Sequence, residues 1–560
     1  MIYRQSVAGR ILIHAALIGG AILFSLPFVW MVGTSMMNEQ EMFRPGVHVL
    51  PRAPQARLQS PFLDDEEFPL PQRPALLPAP IWEERRTTLT RLVREKVKTL
   101  RVDNPDGLSQ DALVTEVVKG VWHRLLQAVD PELWLTDDEN YPALMHAHVS
   151  QEMVDDVLDK IRRRLCLGRF SIRTSDYRHI ELARDESPAA IWRPVQGAVR
   201  LQEITDQNQQ YALVHYDLGS QDTWQLEAVL DSPAPLDEVK TFTLALRQDQ
   251  TWHHFEIAVE YGGQRWVPDE PLYLGGWQWQ QVMLKKFDPV TYNPYEPRPW
   301  VWLKQDPAGS AFDEAGKVRV ALTTKKATQT EAWYGKALYN YKQAWKYVPM
   351  WRYAATSIAL VAINIVLMVL SSSLAAYAFA RLQWPGRDFL FVLLLGTLMI
   401  PHQVTLIPGF IIMKSLGWYN TLQPLWIGAA FGSAFNIFLL RQFMKGIPTD
   451  LEDAARIDGC GFLRIWWHIM LPLVKPTLAA IAVFTFIGTW NDFMTPLIYL
   501  NDQRLYPLSL GLFQLQTMLG ATNYAMMMAG SIIMTLPVIA VFFFAQKYFV
   551  QGITLTGMKA

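Results

Sequence analysis

The stretch from Asp453 to Pro472, DAARIDGCGFLRIWWHIMLP, sets an acid, two alanines, a glycine and a Leu-Pro pair into one amphipathic segment between two long apolar runs. The chemistry this spacing offers is mechanical rather than covalent. Thr449 or Asp450 can cap a helix here, and Glu452 and Asp453 stand in its first turn, where carboxylates meet the positive end of the helix dipole. Ala454 and Ala455 let another surface approach closely. Gly459 permits a sharp bend, after which Phe462, Ile465, Trp466 and Ile469 form an apolar stripe, and Leu471 and Pro472 close the segment. The ordinary alternative is an amphipathic helix lying on a membrane surface.

Covalent chemistry is thinly supplied elsewhere. Glu256 and Glu260 fall on one face of an expected strand and resemble a hydrolase acid pair, but no nucleophile or binding loop accompanies them. His253 and His254 alternate to opposite faces, so a shared metal ion is not expected. The two cysteines, Cys166 and Cys460, supply neither a disulfide framework nor a zinc cluster. Asn364, His402, Asn436, Asn491 and Asp492 lie within or at the ends of apolar runs, where polar groups face a cavity or a partner helix, and of these Asn436, Asn491 and Asp492 are candidates for a translocation pathway. Tryptophans such as Trp252, Trp266, Trp277, Trp279, Trp300 and Trp302 can stack on sugar rings, although core packing is the commoner use of Trp in a small β domain.

These residues sit on a chain of two compositions. Mean hydropathy is only +0.07 although 50% of residues are hydrophobic, so apolar runs must alternate with a strongly polar region. A net charge of −1 gives no global basic field for nucleic acid. Apolar runs of spanning length occur at 11–32, 354–379, 389–413, 422–440, 478–500 and 526–544, predicting six transmembrane helices, the first a retained signal anchor at the end of a tail-and-span segment 1–37. Arg381, Arg387, Arg441, Lys445, Arg456, Arg464, Lys475, Lys547 and Lys559 crowd the loops of one side. By the positive-inside rule both termini and the Asp453 loop are cytoplasmic and residues 38–352 are extracytoplasmic. Within that insert the expectation is a Pro-rich linker at 38–80, helices over 81–167, a β-sandwich over 168–330 read from alternating segments such as YALVHYDL and TFTLALR, and a connecting helix at 331–352.

From 353 to 560, and again over the first 37 residues, the chain resembles the inner-membrane permease subunit of carbohydrate ABC importers of the maltose type. The phrases that carry this are LPFVWMVGTSM, SSLAAYAFARLQWPGRD, LMIPHQVTLIP, NIFLLRQFMKGIPTDLEDAARIDG, TWNDFMTPLIYL and YFVQGITLTGMKA. The resemblance implies a polytopic α-helical membrane protein with six transmembrane helices in the ABC type I importer permease fold, here carrying an inserted α+β extracytoplasmic domain, in a bacterial-type inner membrane. It makes the 446–477 loop the cytoplasmic "EAA" coupling loop, with Asp453 where the family usually has Glu, and assigns ATPase coupling to Asp453, Ala454, Ala455, Gly459, Ile469, Leu471 and Pro472. It implies a second permease, an ATPase dimer, a solute-binding protein and a sugar solute. No P-loop motif occurs in the sequence, so ATP and Mg belong to the partner ATPase and no cofactor or metal to this chain. The tail after Phe549 resembles the family's ATPase-contacting tail. A membrane-anchored glycan sensor, or a permease with an enzymatic outer domain, are the competing readings.

Overall fold

The computed structural model describes residues 7–42, 49–60, 62–63, 68, 79–100, 110–129, 143, 147–160, 164–206, 209–276, 279–290, 292–295, 298–517 and 523–554. Trp277, much of the expected linker, and Gly557 and Lys559 of the tail lie outside them. The chain divides into a helical unit, Met1–Glu39 with Asn293–Arg298 and Asn340–Ala560, and a sheet-bearing unit, Gln40–Tyr292 with Pro299–Tyr339. Helix α1 is Val7–Ser35.

In the sheet-bearing unit α2 (Ala79–Thr99), α3 (Gln110–Ala128) and α4 (Gln151–Lys160) form a satellite core. Val93 and Val97 recur one turn apart on α2, and Val117, Val121 and Leu125 on α3; all are fully buried, together with Val154 and Val157 of α4. Leu63 and Phe68 are buried in the same core. The expected linker over 38–80 is therefore corrected in part: Leu63 and Phe68 are recruited into packing, and Gln59–Ser60 pairs as a strand against Tyr216 and Asp217. The helix expected to reach 167 stops earlier, because Leu165 begins a strand whose Leu165, Cys166 and Leu167 pair with Ala212–Val214.

The expected two-sheet sandwich is instead one hydrogen-bonded sheet. Its order runs Gln59–Ser60, Gln209–Asp217, Leu165–Thr174, Val239–Arg247, Trp279–Lys286, Trp300–Gln305, Gln264–Pro268, His254–Tyr261, Lys317–Lys325, Thr223–Asp231 and Arg193–Gln196. The sheet curls, so that Tyr216 near one end packs on Trp224 near the other with ring centroids 5.6 Å apart, around a single apolar core. Gly197 makes the return between the two ends possible: its φ is +85°, and a Cβ there would lie 2.7 Å from the Cα of Trp224. All neighbours along this order are antiparallel except Trp279–Lys286 with Trp300–Gln305. A parallel pair requires a crossover, and Asn293–Arg298 within that crossover group with the helical unit.

Helix α5 (Gln329–Tyr347) precedes α6 (Met350–Arg381), α7 (Arg387–Gly396), α8 (His402–Ser415), α9 (Ala434–Lys445), α10 (Asp450–Ile457), α11 (Phe462–Ile465), α12 (Lys475–Asn491), α13 (Met494–Tyr499), α14 (Leu508–Thr517) and α15 (Tyr524–Thr554). Among the described residues, Leu12–Ser35, Met350–Arg381, Ile427–Lys445 and Tyr524–Gln546 are long and apolar enough to cross a membrane. Two further stretches are bent pairs, Arg387–Met399 with Gln403–Ser415 at 104° and Phe462–Leu473 with Lys475–Asn491 at 83°. The continuous third span of the sequence reading is corrected accordingly, and the fifth, expected over 478–500, is corrected at its end, where the helix stops at Asn491. Pro401 drives Ile400 to an extended conformation and breaks the first. The second breaks at Val474 before Pro476. The first half of the expected fourth span is a chain of 3-10 turns, Gln423–Leu425 and Ile427–Phe431, before α9 begins.

Candidate coupling loop and broken spans

Helix α10 carries Asp450, Glu452 and Asp453 in its first turn. Thr449 occupies the cap position without a side-chain cap bond, so neither expected cap residue is used; the acids complement the dipole instead. The helix closes by the motif in which Cys460 N–H donates to Ala455 O at 2.9 Å and Gly459 N–H to Arg456 O at 3.0 Å. This geometry needs a left-handed residue, and Gly459 supplies it with φ +80°. Pro472 does not terminate the following segment. Without its N–H the regular ladder cannot continue, and Trp466–Met470 widen into a π turn that carries the chain past Pro472 to Val474.

Ala455, Ile465, Trp466, Met470 and Val474 are buried against Ala376, Tyr377, Ile437, Leu440 and Met444. Ile469 and Leu471 are half-buried at the edge of this cluster. The opposite side is open: Asp453, Ala454, Gly459 and Pro472 are exposed, as are Leu451, Ile457, Phe462, Leu463 and Trp467. Phe462, expected in the buried stripe, is on this outer side, within cation-π range of Arg456. Asp453 is 63% exposed and 3.9 Å from Arg456, whereas the neighbouring Glu452 is 4% exposed and meets Arg381 at 2.9 Å. Sequence reasoning singled out Asp453 and missed Glu452 as the inward acid.

Of the pathway candidates, Asn436 is buried in α9. Asn491 is exposed and donates to Ile487 O of its own helix at 3.0 Å. Asp492 accepts from Thr495 N–H at 3.1 Å and its carbonyl from the Ser509 hydroxyl at 2.6 Å, bracing the break between α12 and α13. Asn364, one of the polar residues within the apolar runs, belongs to a polar stripe on α6 whose other members, Ser357 and Ser371, the sequence reading did not single out. Ser357 accepts from Leu508 N–H at 2.8 Å, Asn364 donates to Leu425 O at 3.1 Å and Ser371 to Ala429 O at 2.9 Å. The sevenfold spacing of Ser357, Asn364 and Ser371 was the available signal. Non-helical backbone at membrane depth persists only where protein or a wet cavity satisfies it, and Asn364 and Ser371 each satisfy a carbonyl of the broken fourth span.

In the sheet-bearing unit Glu260 is buried and ion-paired with Arg319, accepts from Ser310 at 2.6 Å, and lies 3.6 Å from Arg265. Arg265 also reaches Glu256 at 3.1 Å. These carboxylates are tied up by guanidinium groups rather than poised as an acid pair. His253 donates from Nε2 to Arg57 O at 2.8 Å and accepts at Nδ1 from Ala327 N–H at 3.1 Å; this neutral ring leaves no nitrogen for a metal. Burial holds its pKa below the ordinary value. Trp192, Trp224, Trp252 and Trp302 are core, while Trp266, Trp279 and Trp300 are half-buried.

A bundle of apolar helices with broken spans, and an amphipathic loop with an open apolar face, define a membrane-spanning translocation subunit. Residues 368–555 match the family model for the binding-protein-dependent transport system inner membrane component. The arabinooligosaccharides transport system permease protein AraQ of Halalkalibacterium halodurans is 38% identical over 37% of this chain and 74% of its own length. The probable ABC transporter permease protein YurM of Bacillus subtilis is 36% identical over 39% and 73%. The lactose transport system permease protein LacG of Rhizobium radiobacter is 36% identical over 37% and 74%. The chain belongs to the binding-protein-dependent transport system inner membrane component family, and the family match lies wholly within its helical unit.

Proposed function

We propose that this chain is one of two permease subunits of an ATP-driven importer of sugars or oligosaccharides. Its helical unit crosses the inner membrane six times, counting each bent pair as one span, with both termini and α10–α11 on the cytoplasmic side. Residues 38–352 are outside, where the sheet-bearing unit helps recruit a solute-binding protein or a polymeric substrate. The ATPase dimer docks on α10–α11, and the chain itself hydrolyses nothing. The carrying observation is the open face of that loop, where Leu451, Ile457, Phe462 and Trp467 are exposed around Asp453 and Ala454. An apolar patch rimmed by charge marks an interaction surface. The sugar reading is supported by the names of the arabinooligosaccharide and lactose relatives. The enzymatic alternative loses its acid pair to Arg319 and Arg265. Purification of the full chain in mild detergent tests the docking: ATPase should accompany the unmodified chain and be absent from a Gly459→Asp, Asp453→Ala variant. Recovery of no ATPase with either chain would defeat the proposal.

A further inference from the structure

The guanidinium of Arg381 joins three helices. It stands at the last residue of α6, only 8% exposed, and faces Glu452 of α10 across 2.9 Å. The same group donates to Met444 O at 2.6 Å, at the C-terminal end of α9, and to Ile447 O just beyond it. A planar fork can serve two carbonyls and a carboxylate together, which a lysine ammonium on a flexible stem does less rigidly. Arg456, 46% exposed on the same helix, is also 3.8 Å from Glu452. Adjacent acids on α10 thus divide: Asp453 faces out toward any docked partner, and Glu452 faces in.

Helix α6 is also the element whose Asn364 and Ser371 hold the broken fourth span. One helix therefore carries both sets of contacts, Arg381 at its C-terminal end to α9 and α10, and Asn364 and Ser371 further along it to that segment. We propose that Arg381 and Glu452 are positioning residues that form a rigid strut, passing displacement of α10 to α6 and so to the broken span. This rests on the reading that an ATPase docks on α10–α11. Coupling free energy travels through packed elements with two arrangements, and the buried Arg381–Glu452 ion pair at a three-helix junction ties displacement of α10 to α6.

The test uses the assembled complex in lipid, with spin labels on cysteines replacing Ile358 of α6 and Ile539 of α15, both exposed, in a Cys460→Ser background; Cys166 is buried. The distance between labels is compared with and without trapped ATP. The expectation is a nucleotide-driven change in the otherwise unmodified complex, its loss in Glu452→Gln although ATPase still co-purifies, and partial recovery in Glu452→Asp, which keeps the charge. The strut is overturned if Glu452→Gln shows the full change, if it loses the ATPase altogether, or if the parent complex holds ATPase yet shows no change. A parent chain that holds no ATPase would instead defeat the docking reading, and the strut with it.

Discussion

In the sheet-bearing unit Glu260 is buried against Arg319 between neighbouring strands, while in the helical unit Glu452 is buried against Arg381 at the meeting of three helices. The first pair joins residues already held in register by a continuous ladder, so it fixes nothing the backbone has not fixed. The second joins elements with no ladder between them. The same contrast runs through the neutral polar groups: Asn364 and Ser371 bond to the backbone of another segment, whereas Tyr216 and Thr251 in the sheet-bearing unit bond to the buried Asp249 at 2.6 and 2.7 Å to seal a turn. Where apolar surface is everywhere, hydrophobicity cannot specify which helix meets which, and polar contacts take that role. In a water-facing domain apolar burial does the specifying.

The sharpest break in this comparison is at Gly459, whose substitution should disable the helical unit and leave the sheet intact. A Cβ there meets nothing within 4 Å, so the demand is conformational: φ is +80°. Gly459→Val should abolish ATP-coupled uptake in reconstituted vesicles, while Gly459→Asn, which tolerates the left-handed region, should retain part of it. Equal loss in both would shift the explanation from backbone to docking surface.

The mirror experiment is Trp224→Ala. Trp224 is fully buried in the sheet core against Tyr216. Its truncation should cost roughly 3–5 kcal/mol and lower the thermal transition of the sheet-bearing unit, read by near-ultraviolet dichroism. ATPase should still co-purify with the variant; its loss would show that the two units do not fold separately.

Acid should also act on the sheet-bearing unit selectively. His215 is buried, and desolvation with the nearby Arg164 and Arg200 lowers its pKa to about 4; burial lowers that of His253 as well. The unfolded chain takes up these protons near pH 6.5, before the folded chain does. Stability is therefore complete above about pH 6.5 and is lost as pH falls from there toward about 4, by about 3 kcal/mol for His215 alone. His215→Gln should flatten the dependence of the melting temperature on pH over that window; an unchanged slope would remove His215 as its source.

How much of this was legible follows from what is local. The bend at Gly459, the helical faces of α2 and α3, and strands such as His254–Tyr261 show in residue type and period. The curl of the sheet did not, because it depends on Tyr216 meeting Trp224 across strands at opposite ends of the order. Trp300–Gln305 went unrecognised for a related reason: its parallel pair with Trp279–Lys286 has no hairpin signal. At the candidate coupling loop the spacing located the helix but not its inward acid. Arg381 entered only as a charge that sets membrane orientation, and nothing in its own neighbourhood announces a carboxylate on a later loop.

The smallest effect expected is also the one that separates specification from stability in the helical unit. Asn364→Leu removes the bond to Leu425 O while preserving an apolar, lipid-compatible side chain of similar size. Interhelical hydrogen bonds in membranes contribute only about 0.6–2 kcal/mol, so the variant should insert and assemble. What should change is the order of Gln423–Phe431, whose carbonyls lose a fixed donor and whose backbone has no regular ladder of its own. Hydrogen exchange at the amides of Leu425 and Ala429 should accelerate about fivefold or more if the lost bond is worth about 1 kcal/mol, while α9 exchanges as before. Unchanged exchange at both amides would mean that the 3-10 turns are held by packing alone, and the polar stripe on α6 would then be incidental to the broken span.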